Sequence, residues 1–177
     1  MDIAWLWQPL SINDIDFRIQ SINKWWYATI LAYKNARVDM NRLDEAVWPL
    51  NWKKEYTRDN RNCIVSIYDD HKKEWISKED TWTESFAESQ KWLASDSFKR
   101  ACFNWGIGRE LYTYPAIQIK LYDEEFMKQW DKVKQTYNLK LSQWQWSLNI
   151  DNKNIIWLFA KDQNNKLRFQ FWIPKKQ

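Results

Sequence analysis

Glycine is almost missing from this chain. Only 2 of 177 residues are Gly, against an average usage of about 7%, and both fall in one four-residue run, GIGR at 106–109. A Gly-rich phosphate cradle of the dinucleotide or Walker type needs more glycines at set spacing, so none is assigned. Histidine occurs once, as His71 in the polar run DDHKKE, where a solvated turn is expected. Cysteine occurs twice, as Cys63 and Cys102, and no second Cys or His sits at ligand spacing. Zinc chemistry and histidine-based nucleophilic catalysis therefore lack their parts, and buried reduced thiols are expected. No apolar run approaches the roughly 20 residues of a membrane span, so no membrane association is expected. The N-terminus shows no basic region followed by an apolar run, and a cytoplasmic protein is expected. Internal repeats, low-complexity tracts and linkers are also missing, which points to a single domain over residues 1–177.

What is present is aromatic and mildly basic. There are 15 Trp, 8 Tyr and 8 Phe, and the formal net charge is +4. The charge is a weak pointer to nucleic acid. The rings suit base stacking as well as they suit a core. Carboxylates cluster at Asp69–Asp70 and at Asp123–Glu124–Glu125. Both clusters fall at expected turns or helix starts, so a solvated surface is the better reading than a metal-dependent nuclease.

The periodicity predicts an α+β chain. Residues 1–8 read as a loose arm. Ser11 and Asp14 open a short helix, with Ile12, Ile15, Ile19 and Ile22 on one face. Tyr27 to Tyr33 alternates as a strand. A helix follows with Ala36, Met40, Leu43 and Val47 in register, ended by Pro49. Strands are expected at 52–57, 62–68 and 74–78, with Cys63, Val65 and Ile67 on one face of the second. After a strand at 117–121, Phe126, Trp130, Val133 and Tyr137 stand at helical spacing. Further strands are expected near 139–148, 154–160 and 166–173, the last two joined as a hairpin through DQNNK.

The chain is organised around Ser85–Pro115. Ser85 and Glu88 have capping-box spacing, and Ala94, Phe98, Ala101, Cys102 and Trp105 form an apolar stripe. Gly106 stands where the helix should stop. Lys99 and Arg100 project off the stripe, with Asp96 four residues before Arg100. The expected architecture is an antiparallel β-meander with this long helix on one face, a β-β-β-α order, plus short helices and a C-terminal β-hairpin.

Within this stretch ASDSFKRACFNWGIGRELY, preceded by LDEAVWPLNW and DTWTES, resembles the Rad-fifty-two-like single-strand DNA annealing proteins, including phage recombinases of the Sak type. The resemblance spans residues 9–115, the annealing core; residues 116–177 carry no such motif and would complete or extend the sheet. It implies a phage-encoded, ATP-independent protein of a bacterial host cytoplasm that binds single-stranded DNA and promotes annealing in recombination and repair. It implies no enzyme activity and no cofactor. The implied partners are single-stranded DNA, further copies of the chain in a ring or filament, and a phage exonuclease or single-strand-binding protein. It implies backbone contacts from Lys99 and Arg100, with Arg109 in the same block and Arg37 and Arg42 flanking the second helix. Such contacts neutralise phosphates without reading bases, as annealing of arbitrary strands requires. Two other readings stand beside this one, a module that recognises double-stranded nucleic acid by shape and the metal-dependent nuclease.

The family has Gly where this chain has Trp48, Trp82 and Trp92, and Trp25 or Trp26 is a further case of the same kind. Two explanations fit: a Trp-rich protein that stacks bases, or UGA codons translated as Trp in a gene whose host reads UGA as Gly. Trp52 and Trp105 suit the family as aromatics and are read as authentic.

Overall fold

The computed structural model describes residues 2–82, 93–130, 132–151 and 154–174. Among the described residues it is an α+β structure with two α-helices and antiparallel sheets. The chain divides into two compact units: Met1–Leu10 with Lys34–Arg109, and Ser11–Tyr33 with Glu110–Gln177.

The first unit holds both helices. Helix α1, Ala36–Val47, starts at Asn35, whose side chain accepts from the Arg37 N–H, and buries Leu43, Ala46 and Val47. The N-terminal residues are not the loose arm expected. Ile3–Trp7 forms a 3-10 turn capped by the Asp2 carboxylate, and Leu6 is wholly buried. Arg42 of α1 donates to Trp5 O at 2.9 Å and Gln8 O at 3.1 Å, which ties the turn to the helix.

Three strands follow as an antiparallel meander, β3 at Trp52–Thr57, β4 at Asn62–Asp69 and β5 at Glu74–Thr81. The labels β1 and β2 belong to Asp16–Ile22 and Tyr27–Tyr33 of the second unit. The register Lys54–Val65–Lys78 and Tyr56–Cys63–Asp80 puts these six residues on one face, because side chains two apart share a side. Helix α2, Leu93–Asn104, packs against β4 and β5. Phe98, Ala101, Cys102 and Trp105 are buried, as the apolar stripe predicts, and burying a side chain such as Phe98 contributes roughly 1.5–3 kcal/mol. The Trp105 indole N–H donates to Val65 O at 3.0 Å, so its polar edge is satisfied inside the core. Cys63 and Cys102 are free buried thiols, and burial pushes the Cys63 thiol up to about 12.

The end of α2 follows the sequence closely. Gly106 has φ +107, its N–H reaches Phe103 O, and the Ile107 N–H reaches Cys102 O. This crossed pair is the Schellman arrangement, which needs a left-handed residue at the Gly106 position. The start of this helix, expected at Ser85 with Glu88, lies outside the described residues.

The second unit is β-rich. Strands β1, β2 and β6 (Ile117–Lys120) form one sheet in the order β1-β2-β6. Strands β9 (Gln145–Asp151), β10 (Asn154–Lys161) and β11 (Leu167–Trp172) form another, ordered β11-β10-β9. Ala28, Ile30, Ile117, Ile119, Leu158 and Ala160 lie in a common core. Three expectations fail here. Residues 12–22 are a 3-10 turn at Ile12–Asp14 and then β1, not a helix. Ile15, Phe17 and Ile19 alternate, and a bulge between Ile19 and Ser21 shifts the register so that Ile22 mimics helical spacing. Residues 126–137 hold a hairpin of β7 (Phe126–Gln129) and β8 (Lys132–Gln135), not a helix. Trp130 and Tyr137 are largely exposed, so the four aromatic and aliphatic positions share no buried face. The strand expected near 139–148 begins only at Gln145, after a 3-10 turn at Leu141–Gln143.

Candidate nucleic-acid interface

Three cations of the first unit, Lys78, Arg100 and Arg109, gather around the C-terminal turn of α2. Arg100 Nε lies 3.4 Å from Asp80 Oδ1 on β5. Asn104 Nδ2 donates to Asp80 Oδ2 at 3.2 Å and to Glu79 O at 3.1 Å. The Asn104 carbonyl accepts from Lys78 Nζ at 2.8 Å and from Arg109 Nη2 at 2.9 Å. Arg109 Nε also donates to Phe103 O at 2.6 Å, and its guanidinium lies over the Trp7 ring, 4.5 Å from the centroid. Lys78 lies 4.5 Å from the Trp105 ring centroid. Burial, with the nearby Arg109 charge, lowers the Lys78 ammonium below its ordinary range.

Backbone carbonyls at a helix C-terminus carry partial negative charge, so two cations on Asn104 O is a stable arrangement. It also fixes Lys78, Arg100 and Arg109 within one connected cluster that includes the Asp80 carboxylate. Lys99 stands apart, 3.6 Å from Asp96. The expected Asp96–Arg100 pair is therefore corrected: Asp96 meets Lys99 at i,i+3, and Arg100 turns to Asp80 across to the sheet.

The five residues singled out from sequence occupy different surroundings. Arg100 and Arg109 are brought together, and Lys99 lies next to Arg100 on the same helix. Arg37 is exposed in the first turn of α1, outside this network. Arg42 is 7% exposed and spends its guanidinium on the N-terminal turn and the Trp5 ring, whose centroid is 4.8 Å away. Lys78 was not singled out. Its signal was present in the alternation of β5, where Glu74, Ile76, Lys78 and Asp80 share the face that meets α2.

Beneath the surface of this unit, the Lys34 ammonium is bonded to the Asp39 carboxylate, and both are fully buried. Lys34 also lies over the Phe103 ring at 4.3 Å, and its stem runs within 3.0 Å of where a Cβ on Gly108 would sit. Burial raises the Asp39 carboxyl to about 6 against the opposing Lys34 charge. Of the acidic clusters, Asp69 accepts from the His71 and Lys72 N–H groups of an exposed turn. Glu125 is not the solvated residue expected: it is buried, with Arg168 at 2.7 Å. Among the described residues no group of three or more His, Cys, Asp or Glu is arranged to hold a metal ion.

Comparison with protein-family models, with curated proteins and with solved structures gives no match for this chain.

Proposed function

We propose that this chain binds single-stranded DNA through its backbone and promotes annealing of complementary strands, without nucleotide hydrolysis. The observation that carries the reading is the ordered set of motifs from LDEAVWPLNW through DTWTES to ASDSFKRACFNWGIGRELY. The meander β3–β5 followed by α2 is, in this reading, the annealing core. Lys99, Arg100 and Arg109, joined by Lys78, supply the phosphate contacts.

The chemistry supports this. Four cations, Lys78, Lys99, Arg100 and Arg109, offer positive charge to phosphates, and phosphate contacts hold a strand while leaving its base edges free to pair. A phosphate reaching Arg100 or Lys99 exchanges with Asp80 or Asp96. Such exchange costs little, since partly exposed ion pairs contribute only about 0–1 kcal/mol each. One unit offers a short groove, so a useful length of strand requires neighbouring copies, and the protein acts as a homo-oligomer.

Complementary labelled oligonucleotides, mixed in EDTA without nucleotide, test the proposal. Faster pairing with protein present is the expected result. Duplex preference without acceleration would assign the chain to shape-selective duplex binding, and strand cleavage in a parallel reaction with magnesium in place of EDTA would assign it to the nucleases.

A further inference from the structure

We propose that positions 26, 48 and 130, which read as Trp, are glycine in the natural protein, encoded by UGA in a host that reads UGA as glycine. The backbone carries the inference. Trp26 has φ 63, Trp48 φ 72 and Trp130 φ 56. A bulky side chain rarely adopts these values, whereas Gly adopts them freely. The two glycines that the chain does contain, Gly106 and Gly108, both have positive φ as well.

Each position has an internal comparison or a turn rule that names glycine. Trp48 follows the last residue of α1, and its ψ of 147 takes it outside the left-handed helical well towards backbone that is essentially Gly-only. The other helix, α2, ends in a true glycine, Gly106. The Trp48 ring is 69% exposed, so little packing compensates its conformation.

Trp26 closes the β1–β2 hairpin. There the Trp26 N–H reaches Asn23 O, the Asn23 N–H reaches Tyr27 O, and Asn23 Oδ1 accepts from the Trp25 and Tyr27 N–H groups. The β10–β11 hairpin repeats this pattern bond for bond. The Asn165 N–H reaches Asp162 O, the Asp162 N–H reaches Lys166 O, and Asp162 Oδ1 accepts from the Asn164 and Lys166 N–H groups. The position equivalent to Trp26 is Asn165, φ 62, one of the few non-glycine types that tolerate it. Three-residue hairpin loops of this kind place Gly at that site.

Trp130 follows Gln129, which pairs with Lys132 across the β7–β8 hairpin. A two-residue hairpin loop needs φ > 0 at its first position, hence Gly, Asn or Asp. The Trp130 ring is 96% exposed.

The set differs from the one marked by sequence. Trp48 is common to both, Trp26 and not Trp25 is the residue with positive φ, and Trp130 is new. Trp82 does not have positive φ, and Trp92 lies outside the described residues. The exposed rings at 48 and 130 are then no interaction surface.

The codons and the peptides decide the matter. The gene is sequenced at codons 26, 48 and 130, and peptides of the protein from its natural host are weighed by mass spectrometry. UGA codons with Gly in the peptides are the expected result, and UGG or Trp at any of the three overturns the assignment there. An independent arm compares Trp48→Gly with Trp48→Ala in denaturant. Both remove the ring, but only Gly relieves the backbone. The folded-to-unfolded ratio of the Gly variant should exceed that of the Ala variant by at least about fivefold. A Gly variant no more stable than the Ala variant overturns the conformational case.

Discussion

Replacing Lys99 and Arg100 together by Ala should weaken single-strand binding for every sequence, and the size of the effect can be worked out. The two side chains are 24% and 31% exposed and rest 3.6 Å and 3.4 Å from Asp96 and Asp80. Pairs of this kind contribute about 0–1 kcal/mol each, so the double variant should stay folded, within about 2 kcal/mol of the parent. On single strands each neutralised phosphate contributes roughly 0.7 to the log–log salt slope, so losing two makes the slope shallower by about 1.4. Between about 50 and about 200 mM salt, the parent should then lose roughly sevenfold more affinity than the variant. Fluorescence anisotropy of several unrelated oligonucleotides across that range reads the slope, with circular dichroism to confirm folding. The opposite perturbation gives a second check. Asp80→Asn frees Arg100 from its carboxylate, and binding should tighten by up to about fivefold, the worth of one such pair. A folded Lys99→Ala, Arg100→Ala variant whose slope equals that of the parent would remove these two residues from the site.

Other expectations follow from the buried charges. The Asp39 carboxyl is raised by burial from 3.8 to about 6, so the folded state holds its proton over a range where the unfolded state has lost it. The stabilisation by protonated Asp39, about 3 kcal/mol, is complete below about pH 4 and is lost as pH rises through about 6. Urea titrations from pH 4 to 7 should show that fall in the parent and a flatter profile in Asp39→Asn, and an identical fall in both would place its origin elsewhere. Arg168 bonds Glu125 at 2.7 Å and lies 3.3 Å from Asp162, all three being nearly buried, and its guanidinium sits 4.0 Å from the Tyr122 ring centroid. Arg168→Met would strand two buried carboxylates and should cost about 3–5 kcal/mol in denaturant; a loss under 1 kcal/mol would show that water satisfies them. Light scattering should show an assembly of many copies when DNA is bound, and a monomer both with and without DNA would count against the ring or filament.

The sequence revealed those elements in which one physical signal acted alone. Alternation in Tyr27–Tyr33 and Asn62–Tyr68 marked central strands, because one face of each is apolar without interruption, Ala28, Ile30 and Ala32 in the first and Cys63, Val65 and Ile67 in the second. The α2 stripe and Gly106 marked the helix end, since helical spacing and a left-handed stop agree there. Failure came where two signals competed. A bulge after Ile19 converted a strand period into an apparent helical one. At 126–137 four apolar positions stood at helical spacing, but the turn at Trp130 carried no recognisable turn residue. If position 130 is glycine, KQGDK would have read as a hairpin at once. The cluster at the α2 C-terminus was half readable. Lys99, Arg100 and Arg109 stood out through the family motif. Lys78 did not, because its place depends on register across three strands. Arg42 could not be distinguished from Arg37 by sequence, since only the folded N-terminal turn gives Arg42 its carbonyl partners.

Annealing itself is the activity from which the proposed roles of Lys99 and Arg100 follow. Complementary labelled strands should pair faster with the parent protein than alone, in EDTA and without nucleotide, and the Lys99→Ala, Arg100→Ala variant should lose most of that acceleration at moderate salt. No acceleration by a folded parent that binds single strands would contradict the account.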